Sequence, residues 1–220
     1  MKKLLESWNR FLTEDFSKIE SMIDGLGDNA VSVEKSGKNI SVSFIDSSEG
    51  IPLSGPSGRL MMHRANIATD GGDCLNAWVI TYSEAKGGLG PLLYDVAIEF
   101  ASLDPNSSGL TADRSSVTKD AFEVWEKYLT IRPDVNKVQL DDLKNTLTPD
   151  DQDNCDSDSA KIHPPFSPMG DDEDSDEYKQ DLPQRLKDSA IMKVYSKQAQ
   201  PAMSQLVKAG KFYYNGVKRK

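Results

Sequence analysis

The sequence predicts a layered fold of the α/β or α+β class. Three observations carry this. Two short runs of alternating apolar residues meet at a tight turn. An apolar strand leads through a glycine cluster straight into a helix-period segment. The elements follow in the order helix, four strands, helix, strand, helix, as a sheet with helical crossovers requires.

Residues 3–24 carry Leu4, Leu5, Trp8, Phe11, Leu12, Phe16, Ile19 and Ile23 at three- and four-residue steps, an amphipathic helix that the "DGLGDN" glycines stop. Val31 and Val33, then Ile40, Val42 and Phe44, alternate with polar residues around Ser36-Gly37-Lys38-Asn39, the pattern of a β-hairpin. "SSEGIPLSGPSG" is a loop, "RLMMHRANIA" a weaker third strand, and "CLNAWVITYS" (Cys74 to Ser83) a fourth.

"EAKGGLGP" follows it. Pro91 suits a first helical position, and Leu92, Leu93, Val96, Ala97 and Phe100 make one apolar face with Asp95 and Glu99 outside it. "LTAD" is a short strand. The next helix has Thr118 as its N-cap and Phe122, Trp125 and Leu129 at helical spacing.

Four regions are expected: an N-terminal helix over 1–24, a central domain over 25–137, an acidic, loosely ordered segment over 138–182, and a segment over 183–220 that docks on the domain or on a partner. With 37% hydrophobic and 28% charged residues the chain is polar for a globular protein, so part of it is expected to lie outside the core. A formal charge of −9 argues against broad binding to nucleic acid or to an anionic membrane surface. No apolar run has the roughly 18 residues needed to span a bilayer. The basic start "MKKLLESWNRFLTEDF" is interrupted by Glu6, Arg10 and Glu14, which no secretory signal tolerates, so a cytoplasmic protein with Cys74 and Cys155 as free thiols is expected. His63 and His163 have no carboxylate or thiol at ligand spacing, and no metal site is expected. "DDQDNCDSDSA" lacks the glycine and distal glutamate of a twelve-residue calcium loop and reads as a solvated acidic segment.

The chemistry centres on the glycine turn. Amides at a helix N-terminus are unpaired and lie at the positive end of the helix dipole, and glycines let a phosphate approach them closely. The candidate donors are the amides of Gly88, Leu89, Gly90, Leu92 and Leu93, with Lys86 as a charge at the rim. A plain strand–helix connection is the competing reading. No Gly-Lys-Ser/Thr follows, so this is not a P-loop.

A strand, a basic glycine turn, a helix, a short strand and a helix ending in "AFEVWEKY" resemble the GNAT superfamily of acyl-CoA-dependent N-acetyltransferases over roughly residues 30–130. The family's Gln/Arg-x-x-Gly-x-Gly/Ala motif falls on Ala85, Lys86, Gly87, Gly88, Leu89 and Gly90, with both glycines present and Ala85 in place of Gln/Arg. The resemblance implies an α+β fold with a mixed, mainly antiparallel sheet and acetyl-CoA as cofactor. It places the pantetheine arm along Ile80 and Tyr82, and the pyrophosphate on Lys86, Gly87, Gly88, Leu89, Gly90 and Leu92. It implies acetyl transfer to an amine, with Glu84, Tyr82 and Asp113 as polar groups for proton transfer. The family's thiolate-donor tyrosine falls on Trp125, and Tyr128 lies three residues on. The family's two helices between its first strands are replaced here by the "SGKN" turn.

"MKKLLESWNRFLTE" also looks like the leading peptides of tailed-phage proteins, with Leu12-Thr13-Glu14 matching a head-protease cut site. "GPLLYDVAIEFAS", "GLTADR" and "QLDDLKNTLTPDDQDNC" look like an acetyltransferase-like family of phage genomes. This resemblance implies host cytoplasm or virion as location. It also implies a second possible role, binding without catalysis, with a virion or host protein as partner.

Overall fold

A computed structural model describes residues 18–48, 58–85, 87–114, 117–144, 146–156 and 183–219. The fold is α+β, with a mixed, mainly antiparallel sheet and flanking helices. The chain divides into two compact units, Met1–Leu60 with Glu84–Glu99 and Ala199–Lys220, and Met61–Ser83 with Phe100–Gln198.

In the first unit, residues 18–25 form helix α1, which buries Ile19 and Ile23. The expected hairpin is present. Strands β1 (Asn29–Ser36) and β2 (Asn39–Asp46) pair antiparallel, with Val31 opposite Phe44 and Val33 opposite Val42. Gly37, at φ 58, is the first central residue of the two-residue turn, a position that suits glycine. Ser32 and Ser43 stand opposite each other and are buried, so the alternation does not mark a solvent face there. The reason lies at the far end of the sequence. Strand β10 (Phe212–Tyr214) pairs parallel with β1, with Val31 opposite Phe212, and β11 (Val217–Lys218) pairs with β10. This gives the order β11-β10-β1-β2 and makes β1 an interior strand.

Helix α3 (Gly90–Ser102) begins at the glycine turn as expected. Its polar face does not exist as read. Every residue from Leu92 to Glu99 is buried, and the expectation that Asp95 and Glu99 lie outside fails. The oxygens of Glu99 accept from the amides of Ala202 (3.0 Å) and Met203 (2.9 Å), the first turn of helix α6 (Pro201–Lys208), whose N-cap residue Gln200 makes no side-chain cap. A carboxylate 103 residues away fills that role.

Strand β3 (Gly58–Arg64) ends earlier than the sequence suggests, because Asn66 caps the short helix α2 (Ile67–Asp70). In the second unit Trp78 and Val79 of β4 (Trp78–Ala85) pair parallel with β5 (Leu110–Thr111). Strand β9 (Lys193–Lys197) lies between β5 and β6 (Val135–Gln139), antiparallel to both. The segment read as docking on the domain therefore supplies strands of the sheet itself. Helix α4 (Lys119–Thr130) is capped by Thr118, which accepts from the Ala121 amide at 3.3 Å. Its buried side chains are Phe122, Trp125 and Tyr128.

The loose packing expected from residue 138 onward does not hold for residues 138–144 and 146–156. Strands β7 (Asp141–Asp142) and β8 (Asn154–Cys155) pair parallel, and Leu140, Asp141, Asp142 and Cys155 are buried. Helix α5 occupies residues 183–188. The expectations for residues 1–17 and 157–182 lie outside the described residues.

Candidate functional site

In the first unit the glycine turn joins the end of β4 to α3. Gly87 and Gly88 have φ 67 and 74, a conformation that side chains other than glycine adopt at a cost. Both are exposed, and nothing stands within 4 Å of where a Cβ on either would lie. Gly90 lies within ordinary contact of Ala85, with its Cβ position 3.5 Å from the Ala85 Cβ. The first turn of α3 holds no acidic residue. The turn thus presents open glycine backbone at the positive end of a thirteen-residue helix.

One of the expected cofactor contacts is already engaged within the fold. The Leu92 amide donates to the Leu89 carbonyl at 3.1 Å and is not spare, and the Leu92 side chain is fully buried. Lys86 lies outside the described residues. Leu89 and Gly90 are half-buried, and Glu84, in the same unit, is half-buried as well.

The second unit holds the other expected positions. Ile80 is buried on β4, and Tyr82 is 46% exposed. The parallel pairing covers only Trp78 with Leu110 and Val79 with Thr111, and β4 runs on through Ala85 beyond it. Tyr128 is buried in an aromatic cluster. Its ring centroid lies 6.1 Å from Trp125 and 6.2 Å from Tyr195, with Trp125 stacked on Tyr195 at 4.9 Å and the Arg132 guanidinium over the Tyr128 ring at 5.1 Å. The Tyr195 hydroxyl donates to the Ala190 carbonyl at 2.6 Å, and burial raises its pKa far above the ordinary phenol range. Trp125 and Tyr128 are thus parts of a packed core.

The sequence reading missed the polar interior of this unit. The Asp70 carboxylate accepts from the Asn66 amide and the Thr69 hydroxyl, and its Oδ2 stands 2.9 Å from His63 Nε2. Burial works against its ionisation, but the hydrogen bonds outweigh this and hold it below the usual carboxylate range. Arg114 is buried. Its Nε donates to the Asp156 carbonyl at 3.0 Å and its Nη2 lies 3.4 Å from Cys74 Sγ. Burial lowers the Arg114 pKa against the pull of Asp70, Asp113, Asp156 and Asp142. Asp113, expected as a group for proton transfer, is one of these neighbours.

Cys74 and Cys155 form a disulfide, with Cα atoms 5.1 Å apart, which corrects the expectation of free thiols. The strand expected from Cys74 begins only at Trp78. Cys74, Leu75 and Asn76 form a left-handed 3₁₀ turn at φ 46, 54 and 55. Such backbone costs roughly 1–2 kcal/mol per residue for L-amino acids. Bonds from the Asn76 amide to the Asp73 carbonyl and from the Ala77 amide to the Cys74 carbonyl hold the turn. Gly72 sits against the Asn154 carbonyl of β8, where any Cβ would collide. No sequence signal marks this junction, because its parts come from separate segments.

Among the described residues no group of three or more His, Cys, Asp and Glu side chains is placed to hold a metal, and no helix is long and apolar enough to cross a membrane. No protein-family model, no curated protein and no solved structure matches the chain.

Proposed function

We propose that the chain binds an acyl-CoA thioester through its glycine turn and transfers the acyl group to an amine. The observation that supports this is the turn itself: Gly87 and Gly88, left-handed and exposed, with open space where side chains would stand, directly before α3. These residues fit a pyrophosphate. Their backbone amides donate, the helix dipole favours the negative charge, and no first-turn carboxylate repels it. The family resemblance lays the extended pantetheine arm along β4, which runs to Ala85. Bound acyl-CoA supplies the activated thioester. Glu84 acts as the base that takes a proton from the attacking amine, and coenzyme A leaves as the thiolate.

The test is calorimetric titration of the full chain with acetyl-CoA and with coenzyme A. Gly88→Asp places a carboxylate where the pyrophosphate lies and is expected to abolish binding in a folded protein. Equal binding by Gly88→Asp and the wild type would place the site elsewhere. Glu84→Gln is expected to retain binding and lose transfer.

A second reading, binding without catalysis as a virion component or an inhibitor of a host protein, is favoured by one observation. Trp125 and Tyr128 are packed in the aromatic cluster, so α4 presents no exposed tyrosine hydroxyl as acid for the thiolate. Coenzyme A binding without transfer to any amine would support it.

A further inference from the structure

Between β7 and β8, Leu147 and Thr148 fold back onto one carboxylate. Asp141 Oδ2 accepts from the amides of Leu147 (2.7 Å) and Thr148 (2.6 Å). The Thr148 hydroxyl donates onward to Asp153 Oδ2 at 3.1 Å, so one residue ties the two carboxylates together. In the parallel β7–β8 pair Asp141 stands opposite Asn154, whose Nδ2 donates to Asp151 Oδ1 at 3.2 Å.

Each of these three side chains spends one polar atom inside the loop and has one left over. The remaining atoms are all oxygens: Asp141 Oδ1, Asp153 Oδ1 and Asn154 Oδ1, each buried and without a hydrogen-bond partner. The residues are 0%, 8% and 8% exposed. Buried acceptors are costly unless something positive or donating meets them. Burial and the negative charges of Asp141 and Asp150 disfavour the Asp153 carboxylate, against the hydrogen bond from Thr148.

Three buried, unpartnered oxygens on residues tied together by Thr148 and by the β7–β8 pairing, two of them on carboxyl groups, match the ligand chemistry of a hard cation. The set has two carboxylates and a neutral amide, one carboxylate short of a three-acid cluster. An irregular set with a neutral donor suits Ca2+, which accepts varied geometry and completes its shell with water, better than Mg2+, which demands a near-ideal octahedron. We propose that the β7–β8 loop is a Ca2+ site, held by Asp141, Asp153 and Asn154. It is independent of the acyl-CoA reading and uses none of the glycine-turn residues. Its role is structural: the bound ion fixes the loop that carries Cys155 to Cys74.

The experiment uses the full chain, stripped with a chelator and titrated with CaCl2, with MgCl2, and with NaCl at matched ionic strength. Heat of binding and thermal midpoint are both followed. Ca2+ is expected to raise the midpoint saturably, and Mg2+ and NaCl much less. Asp153→Asn removes one anionic ligand and is expected to weaken Ca2+ binding by at least about tenfold, and Asn154→Asp, which adds a third carboxylate, to tighten it by a similar factor. Asp141 also holds loop amides, so its variants are not used. Circular dichroism establishes that each variant is folded, and the gain in Asn154→Asp is read on intact protein even where Asp153→Asn fails to fold. A wild-type midpoint that Ca2+ leaves unmoved would overturn the proposal. So would equal responses to Ca2+ and NaCl, an equal response to Mg2+, or an Asn154→Asp variant that binds Ca2+ no more tightly.

Discussion

Glu99 Oε2 accepts a hydrogen bond from the Met203 amide at 2.9 Å, so the last full turn of α3 caps the start of α6. Oε1 does the same for the Ala202 amide. The carboxylate is completely buried, and its charge sits at the positive end of the α6 dipole. Glu99→Gln keeps the shape but turns one acceptor into a donor facing an amide. Its expected cost is about 1–3 kcal/mol, the range for losing a buried bond to a charged group. Glu99→Ala is expected to cost more, because both amides lose their partner. Urea unfolding of the two variants beside the wild type checks the order.

Asp70 contributes to the acid limb of stability. Burial resists its ionisation, but hydrogen bonds from His63, Thr69 and the Asn66 amide win, and the native pKa lies below the unfolded value of 3.8. The unfolded chain therefore binds the proton more readily. The stabilisation is fully present above the unfolded pKa and is lost as pH falls through the native one. Asp70→Asn is expected to lower stability at pH 6, with the gap to the wild type closing below pH 3.8. A gap that stays constant from pH 6 to pH 2 would show that Asp70 contributes only through packing.

Lys193 acts at the other end of the scale, with the opposite sign. Burial pushes its ammonium down to about 8 from 10.5, even with Asp188 pulling the other way. It donates to Gln139 Oε1 and to the Lys187 carbonyl. Between those two pKa values the unfolded chain holds a proton that the native chain has released, so this group makes stability rise with pH across the window. Lys193→Met is expected to remove that rise. The measurement is the difference in unfolding free energy between wild type and variant at pH 7.5 and pH 10, which should grow in the wild type's favour.

The parts of the fold legible in the sequence were those written in local signals. The β1–β2 hairpin follows from alternation around Gly37, α4 from Thr118, and the start of α3 from Pro91 after the glycines. The glycine turn was legible for the same reason, since three glycines between a strand and a helix are a local pattern. What failed to show depends on partners far along the chain. Asp95 and Glu99 look solvent-facing until α6 arrives to be capped. Ser32 looks like an outward residue until β10 covers the edge of β1. Asp141 and Asp153 read as solvated because nothing nearby in sequence announces that Leu147 and Thr148 fold back onto them. Arg114 carries no mark of burial, because beside the adjacent Asp113 the aspartates that act on it, Asp70, Asp142 and Asp156, come from other segments.

The cysteines give the sharpest contrast between local and distant information, and the last test. Cys74 and Cys155 are 81 residues apart, with a composition break between them, which is why they read as unrelated thiols. The fold brings them together because the left-handed turn at 74–76 and the short β8 strand meet at Gly72, where only a glycine fits against the Asn154 carbonyl. Closing a loop of that length restricts the unfolded chain, and native disulfides of this kind contribute about 2–4 kcal/mol. In a domain of this size that corresponds to a fall of roughly 5–15 °C in thermal midpoint when the bond is lost. The double variant Cys74→Ser, Cys155→Ser and the wild type under a dithiol reductant are expected to melt at the same lowered temperature. The single variants should match the double one, because either change alone breaks the bond. Mass spectrometry of the untreated chain after thiol alkylation gives the independent check, with no cysteine labelled in the folded, oxidised protein. Two labelled cysteines, together with a midpoint that reductant does not move, would return the pair to free thiols. The left-handed turn would then be held by its backbone hydrogen bonds, by Arg114 and by the Arg64 guanidinium on the Asn76 carbonyl.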